Sequence, residues 1–493
     1  DAGHYRLTGA GEPPVEGEHA ANWLAAVGGE GGVHASVWRF WQQYPKALAV
    51  ADGRLEVALF APTEEVPAYR PRFGEAKRHD LWLSFWPAEA NPPAEAPQAL
   101  GLLADEPPRL FDRDWFCRSG GVNVLDPRWF ENQPRLKEWV QTRYGDVSTA
   151  RLTGRFGIRD FGDMPYTNGQ WRNGYWAMVQ GALNFGLVSG DPRWIERSFE
   201  IARHIADVDT VHLPPDHPDA AEWGGLTCAL GIDHSVHGGN AKWPAFQIGE
   251  SLLLHYWMTG DPDSRAAGLA NAEYILRTRA GWGSPEARQQ ARAMLTLLRA
   301  WQVTGDRRFR EGAKRYLDLE YQAKHVVDWR RGAYIQPTYE NWRCISAGLN
   351  SMYAANIYEY YRLTGDVDAA QMVVAIADSV YAESMLPQEE GLGSFLFYVR
   401  YSRGAWYYTQ MALLFHLAYD LTEDRRFLRA GRAAFARYLL CTGGDGKPMY
   451  QTWDNFGWLD PEYGGWVLRF KDVPTEPFQI TREIPDPDPA NYQ

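Results

Sequence analysis

Thr259-Gly260-Asp261-Pro262 closes one apolar stretch and opens another, and near-copies of it recur along the chain. Ser189-Gly190-Asp191, Thr304-Gly305-Asp306, Thr364-Gly365-Asp366 and the looser Thr422-Glu423-Asp424 carry the same punctuation. A glycine just past a helix end takes the left-handed conformation that closes the last turn. The aspartate beside it caps the next helix by accepting free backbone N–H groups. In Asp191-Pro192 and Asp261-Pro262 a proline then fills the first helical position, where its missing N–H costs nothing. Three restarts share Asp-x-Arg-aromatic, from Asp191 to Trp194, Asp306 to Phe309 and Asp424 to Phe427. The signals stand roughly 45–70 residues apart, near the range of helix-pair repeats. The bulk of the chain is therefore expected to be a series of helical hairpins.

Working outward, the apolar periodicity places helices at 173–188, 192–207, 245–258, 263–279, 285–303, 307–320, 345–363, 367–383, 404–421 and 425–439. Stretches such as Ser251-Leu252-Leu253-Leu254-His255-Tyr256-Trp257 are apolar over much of their circumference, which suits helices packed on two sides. An inner ring inside an outer ring meets that need. Five pairs are explicit, and 128–143 or the C-terminal tail could supply a sixth and close an (α/α)6 toroid. Residues 1–100 read instead as β-sandwich-like and partial. Leu55 to Phe60 and Leu81 to Phe85 have strand period, and Asp52-Gly53 is a turn signal. The Pro-rich stretch Pro87 to Pro108 reads as a linker. The expected organisation is a sandwich-like part (1–100), a linker (101–124), a toroid (125–445) and a wrapping tail (446–493).

The 493 residues can bury sizeable cores, and 45% apolar with 23% charged residues is ordinary for a globular protein. No apolar run is long enough to span a bilayer. A net charge of -12 with no basic stripe argues against nucleic acid as a partner. Cys117, Cys228, Cys344 and Cys441 lie far apart without a C-x-x-C, which argues against zinc and leaves any disulfide pairing open. The chain opens at Asp1 with no visible signal peptide, so either one has been removed or upstream sequence is missing. The 22 Trp and 26 Tyr mostly serve cores, but several lie in Gly-rich loops, where flat rings suit the faces of sugars.

The long loops 145–172, 209–244, 321–344 and 384–403 hold four polar–aromatic clusters, and long loops in compact domains are usually functional. The first, Arg159 to Asn173, contains Asp163, Tyr166, Trp171 and Arg172. The second runs from Trp223-Gly224-Gly225 to Asp233-His234-Ser235-Val236-His237-Gly238-Gly239-Asn240-Ala241-Lys242-Trp243, with His212 upstream. A histidine there suits a general base near neutral pH. The third is Tyr339-Glu340-Asn341-Trp342-Arg343. The fourth, Phe397 to Arg403, includes Tyr401. Each also has a structural reading: caps and turns for the first, loop-satisfied imidazoles for the second, cation–π packing for the last two. Four such clusters leading into four hairpins favour a shared cleft.

The chain also resembles exo-acting rhamnogalacturonan lyases of the polysaccharide lyase family 26 type and their bacterial relatives. The resemblance rests on Trp38-Arg39-Phe40-Trp41-Gln42-Gln43-Tyr44-Pro45-Lys46, Gly74-Glu75-Ala76-Lys77-Arg78-His79 and Phe161-Gly162-Asp163. It continues through Ala202-Arg203-His204, Asp207-Val208-Asp209-Thr210-Val211-His212 and the His234/His237 loop. It implies β-sandwich domains before an (α/α)6 toroid, acting by β-elimination on galacturonate-containing pectin backbones. Elimination needs a neutralised carboxylate, a base for the C5 proton and an acid for the leaving oxygen. The expected catalytic set is His234 or His237 as base, Tyr166 as acid and Lys242 as a charge neutraliser. Arg172 and Asn240 would help neutralise the carboxylate, and Trp171, Trp223 and Trp243 would stack on sugar rings. Lys77, His79, His212, Tyr339, Arg343, Tyr401 and Arg403 complete the substrate-binding candidates. The alternative is a glycoside hydrolase using two carboxylates from Asp163, Asp233, Glu340 and Glu250, with Glu250 expected inside a helix. A third reading is a non-catalytic glycan-binding protein. No cofactor is expected. Asp160, Asp163 and Asp209 could hold Ca²⁺, but their spacing matches no standard loop. The partner expected is a polysaccharide or oligosaccharide, with no nucleic acid and no membrane insertion, in a secreted or periplasmic setting.

Overall fold

The computed structural model describes residues 4–9, 12–64, 67–90, 95–105, 112–119, 121, 125–128, 156–163, 178–227, 248–278, 287–317, 337–338, 341–389, 392–395, 398–399 and 408–440. Ten helices in this set form five antiparallel pairs. They are α3 (Met178–Ser189) with α4 (Pro192–His204), α5 (Gly249–Thr259) with α6 (Pro262–Thr278), and α7 (Ala287–Thr304) with α8 (Arg307–Arg315). The last two are α9 (Ala347–Thr364) with α10 (Val367–Ser384), and α11 (Tyr408–Thr422) with α12 (Arg425–Leu440). Each pair turns at one of the five signals. Gly260 sits at φ 73° and Gly365 at 72°, the left-handed region that favours glycine, and Glu423 takes the same conformation at 57° with a side chain.

The turns contain a step beyond glycine and aspartate. Thr259 Oγ1 donates to the His255 carbonyl at 2.7 Å and accepts the Asp261 amide at 3.1 Å. Ser189, Thr304, Thr364 and Thr422 do the same. The hydroxyl thus satisfies one orphan carbonyl of the ending helix and the amide of the next cap.

The odd-numbered members from α3 to α11 pack successively, α3 on α5, α5 on α7, α7 on α9 and α9 on α11, while each even-numbered partner packs outside its own mate. Burial agrees. Gly249 to His255 of α5 and Gln290 to Leu298 of α7 are buried almost throughout, whereas α8 buries only Phe309, Gly312 and Ala313 and shows its arginines to solvent. This inner and outer layering is consistent with an α/α toroid. The segments expected to supply a sixth pair lie outside the described residues.

The first hundred residues form antiparallel strands: β1 (Tyr5–Gly9) with β2 (Glu12–Gly17), β5 (Ala47–Ala51) with β6 (Arg54–Ala58), and a sheet ordered β3 (Trp23–Gly28), β4 (Gly31–Val37), β7 (Leu81–Trp86). The Pro-rich stretch expected as a linker carries α1 (Ala96–Asp105), which packs on β3 and β4. Gly101 lies against the Trp23 ring, and Asn22 Nδ2 donates to its carbonyl at 2.8 Å. The prolines flanking Ala99-Leu100-Gly101-Leu102-Leu103-Ala104 hid a short apolar helix. A second short helix, α2 (Arg113–Ser119), packs on α3 and buries the free Cys117, whose thiol burial pushes up to about 11.

Candidate functional site

Cross-contacts fix the direction of three inner helices. Glu250 of α5 meets Arg292 and Thr296 of α7, while Trp257 further along α5 meets Arg299 further along α7. Asn356 and Glu359 of α9 reach Ala291 and Arg299 in the same order. Helices α5, α7 and α9 are therefore parallel, with their N-terminal turns at one end. The second cluster leads into α5, the third into α9, the first into α3 and the fourth into α11. The third and fourth are joined by strand pairing: β9 (Asn341–Ser346) pairs with β8 (Pro337–Thr338) and with β12 (Tyr398–Val399), Ser346 opposite Tyr398 and Ile345 opposite Val399. A further hairpin, β10 (Met385–Glu389) with β11 (Leu392–Phe395), precedes β12. The long loops expected at 321–344 and 384–403 thus hold short strands that bring Arg343 and the lead-in to Tyr401 onto one sheet.

The first turns of these helices bury polar side chains among apolar neighbours. Gln180, Glu250, Ser251, Gln290, Arg292, Asn350, Ser351 and Gln410 are all buried. Burial of this kind is costly unless the groups are bonded. Glu250 Oε1 accepts from Arg292 Nη1 at 2.6 Å and Oε2 from Thr296 Oγ1 at 3.1 Å. Burial pushes the Glu250 carboxyl above its ordinary range, and Arg292 opposes that. Glu250 does lie within a helix, as expected, and is committed to an ion pair there.

A second charged assembly lies in the seam between the β region and α4. The extended segment from Gly74 to Asp80 follows α4 and the π-helical turn Ile205–Asp209 that continues it. The His212 amide donates to Gly74 O, the Ala76 amide to Asp207 O, and Arg203 pairs with Asp80. Arg78 Nε donates to Asp207 at 2.6 Å and Nη1 to Asp261 at 3.0 Å and Asp263 at 2.6 Å. Glu75 accepts from Arg159 and Tyr69. Burial alone would raise the Glu75 carboxyl, and these donors hold it below its usual range.

Lys77 and His79 belong to this seam, joined by Lys46. Lys46 Nζ stands 3.0 Å from His79 Nδ1. Burial, then the neighbouring Lys77, pulls Lys46 down to about 7, and burial pulls Lys77 down to about 8. Burial and the cations Lys46, Lys77 and Arg203 depress His79 to about 3, so its imidazole is neutral at ordinary pH. The seam reaches the lead-in of α5 through contacts: Thr210 bridges to Thr227, whose hydroxyl accepts the Ile248 amide at 3.2 Å.

Asp163 is fully buried. Arg197 Nη2 donates to its carbonyl, and its carboxylate lies 3.7 Å from His204 Nε2, which stands 3.5 Å from Asp209. His204 Nδ1 bonds Phe161 O at 3.1 Å. This buried group anchors the opening residues of the first cluster, Phe161 and Asp163. Among the described residues no group of three or more His, Cys, Asp or Glu is arranged to hold a metal. His212 Nε2 bonds Ala206 O at 2.6 Å and lines an open groove of about 820 Å³ with Asp263, Glu273 and Arg277. Trp223 is half-buried against the core.

Tyr166, Trp171, Arg172, Asp233, His234, His237, Asn240, Lys242, Trp243, Tyr339, Glu340, Tyr401 and Arg403 lie outside the described residues. The sequence reading did not single out Lys46, Arg197 or the buried polar turns. Polar residues inside apolar helical runs were the available signal for the last.

No protein-family profile matches the chain, and no curated protein matches it. Among solved structures, one described as a polysaccharide lyase aligns with a TM-score of 0.50 at 13% identity, over 70% of this chain and 100% of its own. A glycosyl hydrolase family 88 protein from Bacteroides vulgatus aligns with a TM-score of 0.50 at 13% identity, over 69% of this chain and 99% of its own. A cellobiose 2-epimerase from Bacillus thermoamylovorans gives 0.50 and 13%, over 70% and 99%. At this identity the likeness is one of fold.

Proposed function

We propose that the chain is a carbohydrate-active enzyme that cleaves a uronate-containing polysaccharide of the rhamnogalacturonan type by β-elimination. The observation that carries the reading is the parallel run of α5, α7 and α9, with their N-terminal turns at one end. In chain order the four polar–aromatic stretches precede α3, α5, α9 and α11, strands β9 and β12 before the last two share a sheet, and the first turns of these helices bury polar side chains. The fold likeness to a polysaccharide lyase supports it.

In this reading His234 or His237 removes the C5 proton and Tyr166 protonates the leaving C4 oxygen. Arg172, Asn240 and Lys242 neutralise the uronate carboxylate so that charge developing on C5 is stabilised. Trp171, Trp223 and Trp243 stack on sugar rings, Trp223 from a half-buried position against the core. A substrate of this kind fits a secreted or periplasmic enzyme.

The test is ultraviolet absorbance on incubation with uronate polymers, beginning with the rhamnogalacturonan backbone. A rising signal from the conjugated C4–C5 double bond is the expected result. The likeness to a glycosyl hydrolase favours a second reading, hydrolysis by paired carboxylates. It predicts reducing sugar without the absorbance, and silence in both assays overturns both.

A further inference from the structure

The cations and carboxylates of the seam pair unevenly, Arg78 alone taking Asp207, Asp261 and Asp263. The seam's carboxylates are already engaged by arginines: Asp80 by Arg203, Asp207 by Arg78 and Glu75 by Arg159. Among the described residues neither Lys46 nor Lys77 has a carboxylate partner. Lys46 Nζ has only the Leu59 carbonyl and the His79 ring, and Lys77 Nζ has no hydrogen bond at all. All three residues are half-buried. Two ammonium groups brought into electrostatic reach of each other, beside a third cation in Arg203, repel one another, and Asp207 and Glu75 offset this for Lys77 only in part.

The spare hydrogen-bond capacity is all donor. An ammonium carries three N–H groups and no acceptor. Lys77 keeps all three, and Lys46 keeps what His79 and Leu59 do not take. His79 accepts from Lys46 at Nδ1, which fixes the neutral ring's proton on Nε2 as another donor. Lysine serves this purpose as a point charge that swivels onto an oxyanion.

We propose that Lys46, Lys77 and His79 form an oxyanion site in the seam between the β region and α4, and that its ligand is the carboxylate of an acidic sugar. That the anion is a sugar carboxylate rests on the function proposed above; the oxyanion site itself does not. Burial above all, then Lys77 beside Lys46 and the arginines Arg203 and Arg78 beside Lys77, keeps the lysines short of full protonation near neutral pH against the pull of Asp207 and Glu75, so a bound anion draws protons onto them. Binding therefore weakens as pH rises through about 7 and then about 8. The groups facing the site are Lys46 before β5, Glu75, Arg78 and Asp80 flanking Lys77 and His79, and Arg203 and Asp207 from the α4 side. Its donors hold the Glu75 carboxyl below its usual range and Asp207 holds Arg78 charged, so the lysines carry the pH response.

The experiment is calorimetric titration of the full chain with galacturonate, galactose and inorganic sulfate at pH 6 and pH 9. Lys46→Met, Lys77→Met and the conservative Lys77→Arg are compared with Arg308→Met, a distant exposed control. The expected result is binding of galacturonate but not galactose, tighter at pH 6, weakened about tenfold or more by either methionine variant and retained in Lys77→Arg. Failure of both anions to bind, or unchanged affinity in folded Lys46→Met and Lys77→Met, overturns the site. Sulfate binding as tightly as galacturonate overturns the sugar part of the assignment. Galacturonate binding without cleavage of any uronate polymer removes the elimination reading and leaves the site standing.

Discussion

Arg78 Nε lies 2.6 Å from Asp207 Oδ1, and the same guanidinium reaches Asp261 and Asp263 at the start of the next outer helix. One side chain from the β region thus ties two helical pairs together. Its fork geometry matters, because a lysine cannot serve three carboxylates from one position.

Arg78→Met should therefore destabilise the protein by about 2–4 kcal/mol, since it strands the buried Asp207 carboxylate. Arg78→Lys should recover less than half of that loss. Asp261 adds an acid signature. Burial would raise its carboxyl, but the Ser264 hydroxyl and Arg78 hold it below its ordinary range. A depressed carboxyl contributes stability that is present above the unfolded-state value and is lost as pH falls through the folded-state value. Denaturant unfolding of Arg78→Met across pH 2–6 should show a flatter acid limb than the wild type, together with faster proteolysis of the first hundred residues. An unchanged limb would show that Arg78 does not set the Asp261 carboxyl.

The five turns make a natural comparison series. Four use glycine in the left-handed region, and Glu423 occupies it at φ 57°. A non-glycine residue is strained there, by about 1 kcal/mol. Glu423→Gly should gain about 0.5–1 kcal/mol, and Gly365→Ala should lose about 1–2 kcal/mol. Equilibrium denaturation of the two variants checks both signs at once.

The hairpins were legible because their stop and start chemistry is local. A helix expected at 367–383 is found at Val367–Ser384, and one expected at 425–439 at Arg425–Leu440. The hydroxyl of Thr259 or Thr364 was overlooked only because its two bonds are invisible in composition. The seam was not legible in the same way. Lys77 and His79 stood out as candidates, but nothing in the chain order links Lys46 to His79, or Arg78 to Asp207 and Asp261. Those pairings span dozens to nearly two hundred residues and exist only once α4 is packed. Likewise the meeting of Ser346 with Tyr398 depends on how two loops return to the same end of the helices. Helix α1 was hidden for the opposite reason, since local prolines outweighed a short apolar run.

Lys46 gives a stability test with a definite sign. Its folded-state value, about 7, lies well below that of a free lysine. The unfolded chain then binds more protons between that value and the ordinary lysine range, so stability rises with pH across the interval. Below about 7 the folded protein carries the full cost of the confined charge. Lys46→Met should accordingly be more stable than the wild type at pH 6, with the advantage shrinking toward pH 10. Melting curves at several pH values read this directly, and a constant offset would show that Lys46 is not confined.

The proposed elimination makes a separate demand on the second cluster. His234→Ala should lower turnover by about 10²–10⁴-fold, the span expected when a general base is removed. The melting curve should stay near that of the wild type if the role is chemical. Full activity in this variant would pass the base role to His237, and loss of both activity and fold would mark His234 as structural.

Glu250 and Arg292 separate packing from chemistry at the N-terminal turns. Both are almost completely buried, at 3% and 0% exposure, and Thr296 completes the carboxylate's bonding. Removing one member of such a pair leaves a charge with no compensation, at about 3–5 kcal/mol. Arg292→Met and Glu250→Gln should each destabilise on that scale. The double variant should cost clearly less than their sum, because neither charge remains. If Glu250 instead acted as a hydrolytic acid, Glu250→Gln would abolish turnover beyond what its folded fraction explains, while folded Arg292→Met would keep much of its activity. Equal, stability-limited losses in the two single variants identify the pair as the brace that joins α5 to α7.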